Sequence, residues 1–122
     1  MRGRRALNAV FGVLVAAGAA HFMFPGQLKA RWNGWPLSID AAAAVIIEGL
    51  TVEQRQALKL TPRDRLIEYH FGLGMAIRNN LGLWNGNEPL LSSACQGRAC
   101  HPDDASMYII ERAWEQLHVS AK

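Results

Sequence analysis

The sequence predicts an all-α fold: a single compact domain of four to five helices behind an apolar N-terminal leader helix. Three observations lead there. Apolar residues recur at three- and four-residue spacing through Leu66–Leu81 and again through Met107–Leu117. Side chains that cap helices stand ahead of several apolar runs. No strand-like alternation, repeat or low-complexity tract interrupts the pattern.

The leader comes first. Met1 to Arg5 carries three arginines, and Ala6 to Ala20 is apolar and ends in small residues. A basic end followed by a short apolar run and a small-x-small pattern reads as a cleaved signal peptide over residues 1–20. The competing reading is an inner-membrane anchor through residues 6–24. That run holds 19 residues without Asp, Glu, Lys or Arg, just enough to span about 30 Å of hydrocarbon. A buried core helix fits least, because three arginines precede an unbroken apolar run. Export, periplasmic or secreted, is the expectation, with any membrane contact made through this segment alone.

Charge supports the same division. The chain has 13 Lys and Arg against 10 Asp and Glu, and the three leader arginines account for the whole excess. From residue 6 onward the two signs balance. A nucleic-acid partner is therefore not expected, since that needs clustered Lys and Arg on the folded part.

Residues 21–37 read as a linker punctuated by Pro25-Gly26, Asn33-Gly34 and Pro36, with Trp35 expected to pack on the first domain helix. The helical domain should span residues 38–119. Ser38 or Asp40 can cap a first helix over Ile39 to Leu50. Thr51 with Gln54 three residues later is a capping box for a short helix, Val52 to Leu58. Thr61-Pro62-Arg63-Asp64 reads as the strongest start in the chain: a cap, a proline at the first helical position and an acid at the positive dipole end. One long helix to about Asn80 is expected, with Leu66, His70, Leu73, Ile77 and Leu81 along one stripe. Gly72 and Gly74 inside it each cost about 0.8–1 kcal/mol relative to alanine, which points to close approach of another backbone. Asn80 and Gly82 should end the helix. Asn85-Gly86-Asn87 reads as a loop, and Pro89 opens a short helix over Leu90 to Cys95. Asp103 or Asp104 can cap the last helix, whose core face is Met107, Ile110, Trp114 and Leu117.

Cys95 and Cys100 are the two cysteines, enclosing Gln96 to Ala99. In an exported chain this even, close pair reads as a disulfide rather than a metal site.

The candidate chemistry lies at two helix ends. Arg78, Asn79 and Asn80 close the central helix, with Trp84 just beyond. His101, Asp103 and Asp104 open the last one. Arg78 can pair with Asp103 or Asp104, bind an anion or lie over Trp84. His70 is either a buried, hydrogen-bonded histidine or an acid/base group. HPDD invites a metal reading, but neighbouring residues rarely converge on one ion and capping explains both acids. There is no GxSxG, HExxH, P-loop or dinucleotide fingerprint, so no metal or cofactor is expected.

The blocks His70-Phe71-Gly72-Leu73-Gly74 with Ile77-Arg78-Asn79, and His101-Pro102-Asp103-Asp104 with Ser106, resemble a family of small bacterial domains of unknown function. Trp35-Pro36 matches that family's opening, and the resemblance runs from Trp35 to Leu117. It implies a mainly helical domain in which His70, Arg78, Asn79, His101, Asp103 and Asp104 matter as a set. The function expected is a binding or interaction module of the cell envelope, for an unknown protein or small-molecule partner. The alternative is a small hydrolase using His70 or His101 as base, Asp103 to orient it and Arg78 for an anion.

Overall fold

The computed structural model describes residues 34–119 of the chain, and the leader and most of the linker lie outside them. The described chain is all-α. Its elements are α1 (Ile39–Gly49), α2 (Val52–Leu60), a 3-10 helix (Arg63–Tyr69), α3 (Leu73–Asn80), α4 (Glu88–Ala94) and α5 (Pro102–Val119). Helix α5 is the axis, since every other element packs against it.

Local chemistry sets the starts. Ser38 caps α1 by accepting the Ala41 amide at 3.1 Å. The Thr51–Gln54 capping box forms as expected, with both reciprocal bonds near 3 Å. Small residues let α1 lie close to α5: Ala42, Ala43 and Ile46 are fully buried with Ala105, Ile109 and Ala113. Close-packed interiors of this kind tolerate little change of volume.

The long central helix does not form. Thr61 closes α2 instead of opening a new helix, and its hydroxyl donates to the Ala57 carbonyl at 2.8 Å. Its carbonyl accepts the Trp114 indole N–H, also at 2.8 Å. A helix capped by Thr61 would use that carbonyl for its first bond. Arg65 turns to the Pro62 carbonyl at 2.9 Å, an i to i+3 bond, and a 3-10 helix follows. This helix ends at His70, Gly72 departs from helical geometry with ψ −88°, and α3 starts afresh at Leu73. The expected stripe survives the break: Leu66, Leu73, Ile77 and Leu81 are buried.

Beyond α3 the chain turns on Gly82, whose φ of +80° suits glycine. A Cβ there would meet the Trp35 ring at about 2.5 Å. Trp35 therefore covers this turn, which the linker reading did not foresee. Asn87 is buried and holds the turn together. Its amide donates to Leu81 and Pro36 carbonyls at 2.8 and 3.0 Å, and its oxygen caps α4 through the Leu90 amide. Ser93 on α4 accepts the Ile39 amide at 2.8 Å and so fixes where α1 begins.

Candidate functional site: a buried arginine joining two helix ends

Arg78 is an arginine in the core, with its side chain 6% exposed. Each of its three nitrogens has a partner. Nε faces Asp103 Oδ1 at 3.2 Å, Nη1 donates to Ser106 Oγ at 3.0 Å, and Nη2 donates to the His70 carbonyl at 3.3 Å. The Ser106 hydroxyl passes its own proton to the Asp103 carbonyl at 2.8 Å. The end of α3 and the start of α5 are thus joined through one guanidinium, which also reaches the carbonyl at the break before α3. A buried cation needs this degree of satisfaction, because desolvation costs several kcal/mol per ion.

Gly74 makes room for it. A Cβ there would lie 3.0 Å from Arg78 Nη1, 3.3 Å from the Tyr69 carbonyl and 3.6 Å from Ser106 Oγ. The glycine thus accommodates a buried side chain as well as a neighbouring backbone carbonyl.

The remaining candidates divide sharply. His101 stands just ahead of α5, exposed, and its Nδ1 accepts the Asp103 amide at 3.1 Å. In that bond Nδ1 is the acceptor, which leaves Nε2 as the ring's donor. The same Nδ1 lies 3.6 Å from Asp103 Oδ2. Trp84, half-exposed in the turn after α3, meets the His101 ring edge to face with centroids 5.3 Å apart. His70 joins the cluster through its carbonyl alone: its ring packs edge-on to Phe71, and its buried Nδ1 has no hydrogen-bond partner. Asn80 bonds back to the Ala76 carbonyl at 2.8 Å. Asn79 and Asp104 are exposed, and their side chains make no hydrogen bond or ion pair among the described residues. Asp103, rather than Asp104, is the acid that reaches Arg78.

One expectation changes here. Arg78 is neither an open anion donor nor a cation over Trp84, because its nitrogens are all engaged. The cation–π pair among the described residues is Arg63 over Trp114, 4.9 Å from the ring centroid. Of the groups in the hydrolase reading, His101 Nδ1 accepts the Asp103 amide and Arg78 is fully engaged, while His70 Nδ1 has no hydrogen-bond partner. Ser106 appeared in the sequence reading only as a motif letter. Its Oγ is the centre of the seam, and the three-residue step from Asp103 was the one available clue.

Cys95 and Cys100 are joined as a disulfide with Cα atoms 6.2 Å apart, an ordinary span for such a bond, and this fits an oxidising compartment. No helix among the described residues is long and apolar enough to cross a membrane. Those residues contain no group of three or more His, Cys, Asp and Glu able to hold a metal ion. An open groove of about 790 Å³ lies away from the cluster, between α1, α2 and α5 around Ile47, Arg55 and Arg112.

Fold and cluster together define a small all-α domain in which one buried arginine ties two helix ends and an exposed aromatic pair sits above it. No curated protein and no solved structure matches the chain. The chain belongs to the family described as domain of unknown function DUF6794, whose model matches residues 35–117, more than half of the 122 residues. Arg78, Trp84, His101, Asp103 and Ser106 all fall inside that span.

Proposed function

We propose that this domain is an exported binding module that recognises a protein partner through the Trp84–His101 surface. The observation that supports this reading is the pairing of two half-exposed rings with a fully satisfied, buried support. Asp103, held by Arg78 from below, donates its amide to His101, and His101 meets Trp84. Rigid aromatic anchors lose little entropy on binding and dominate interface energetics. The buried half of the cluster acts as a scaffold and the exposed half as the contact.

A photo-reactive phenylalanine at position 84, in the full chain expressed in its own cells, tests this. The expected outcome is a discrete adduct that disappears when His101→Ala is added. The same probe at Lys59, on α2, serves as the control. Labelling at position 84 no stronger or more selective than at 59 rules the surface out.

A further inference from the structure

We propose that the Cys95–Cys100 disulfide is a thiol–disulfide exchange site for a reduced dithiol protein, and that its redox state sets the geometry of the Trp84–His101 surface. Biologically the proposal rests on the recognition reading above, but its test reads geometry and needs no partner.

The crosslink spans the whole connection between two helices. Cys95 is the residue that caps α4 at its C-terminus, and Cys100 directly precedes His101. The connector is fastened unevenly. The amides of Gln96, Gly97 and Arg98 bond to the Ser93, Ser92 and Cys95 carbonyls. Ala99 and Cys100 make no hydrogen bond among the described residues, so the second half is held by the disulfide and by the packing of Cys100 on the core. The first half is not relaxed either. Gln96 has φ +56° and Gly97 φ +80°, and a glutamine in the left-handed region needs a constraint to stay there.

What the tie controls follows from its neighbours. His101 is one bond beyond Cys100, and it alone supplies both the ring against Trp84 and the acceptor for the Asp103 amide. Asp103 and Ser106 are held separately by Arg78, and α5 is anchored by Ala105, Ile109 and Ile110. Opening the disulfide therefore loosens Ala99 and Cys100 and lifts the covalent restraint on the residue before His101, so the His101 ring can shift against Trp84, while the His101 carbonyl stays on the Ala105 amide and the helices stay packed. Local units of this sort open independently of the global fold.

The two sulfurs are not equivalent. Cys95 is buried at 5% exposure, whereas Cys100 is half-buried beside exposed Ala99 and His101. A thiolate of the dithiol attacks Cys100 Sγ; the S–S bond breaks and Cys95 leaves as a thiolate that takes up a proton. The partner's second thiol, deprotonated, then attacks its own sulfur in the mixed disulfide and releases Cys100. Two electrons pass to the domain, and the partner ends as a disulfide. The reverse sequence with an oxidised partner restores the crosslink.

The test is NMR of the full chain, following the Trp84 indole and the His101 ring in the oxidised protein, after dithiothreitol, and in Cys95→Ala/Cys100→Ala. On reduction both signals should move toward solvent-exposed positions. Amides of residues 99–101 should exchange at least ~10-fold faster, while those of Ile109 and Ile110 hold. A dithiol oxidoreductase lacking its second cysteine should be trapped on Cys100. The proposal is overturned if Trp84 and His101 stay put once mass spectrometry shows two free thiols. It is equally overturned if reduced protein loses its overall dispersion, since the bond is then a staple for the whole fold. Trapping on Cys95 reverses the assignment of the attacked sulfur. Absence of cross-linking at position 84 would sink the recognition reading and leave these outcomes unaffected.

Discussion

The two ends of α5 are built from the same ingredients and put them to different use. At the N-terminal end stand an arginine, a carboxylate, a histidine and a tryptophan: Arg78, Asp103, His101 and Trp84. Toward the C-terminal end stand Arg63, Glu111, Glu115, Trp114 and His118. The difference is which partner is buried. Arg78 is enclosed and the aromatic pair above it is open, whereas Arg63 is half-exposed and Trp114 is partly buried with its N–H on Thr61. A buried cation cannot give up a partner without leaving an uncompensated charge, while a solvated one trades a partner for water. The N-terminal end should therefore be stiff and able to support a contact surface. The C-terminal end closes the fold with its tryptophan, and its ion pairs add little.

Substitutions can break this contrast in order of size. Arg78→Ala should destabilise the domain most, by about 3 kcal/mol, the low end for breaking a buried pair because Asp103 is partly solvated. Urea unfolding measures it; a loss below about 1 kcal/mol would place Arg78 among ordinary surface arginines. Gly74→Ala follows at about 1–3 kcal/mol, because its Cβ presses on the guanidinium and on the Tyr69 carbonyl, and backbone cannot yield. Arg63→Ala should cost less than about 1 kcal/mol, with the loss shrinking further in high salt. Trp84→Ala should shift stability by no more than about 0.5 kcal/mol in the same unfolding measurement, as a half-exposed side chain outside the core.

A pH series sharpens the other end. Tyr69 is bonded to Thr61 at 3.1 Å, and burial raises its pKa, with the Thr61 bond opposing and the Glu68 charge adding. The folded phenol thus holds its proton more tightly than the unfolded one. Its contribution is complete below the ordinary tyrosine value of about 10 and is lost as pH rises through the raised folded value. Unfolding free energy should be flat with respect to this group at neutral pH and fall in alkali. Tyr69→Phe should flatten that alkaline fall.

What the sequence made legible was local. Caps at Ser38 and Thr51 are properties of neighbouring residues and form as read, whereas the face of α5 is shifted: Ile110 and Leu117 are buried, Met107 and Trp114 only partly, and Ala105, Ile109 and Ala113 complete it. The central helix was misread because the carbonyl that would start it is taken by Trp114, 53 residues away, and no local pattern announces such a bond. Gly74 was correctly singled out as an anomaly, but the cause included a side chain on its own helix. His70 looked chemical because it is a histidine, and it is the carbonyl that joins the cluster. Asn87 read as loop because asparagine beside glycine usually is one, yet it is 3% exposed and links three segments. Ser106 carries no local mark beyond its place in the HPDD block, because a hydroxyl that bridges a buried arginine to a helix end depends on a contact 28 residues away.

The account turns on whether Arg78 and Asp103 act as one unit under the exposed rings. A double-mutant cycle of Arg78→Ala and Asp103→Ala in urea unfolding measures this directly. Coupling of at least about 1 kcal/mol, with the double variant more stable than the sum of losses implies, is the predicted result. Losses that add to within about 0.5 kcal/mol would show two independent side chains and no joint between the helix ends.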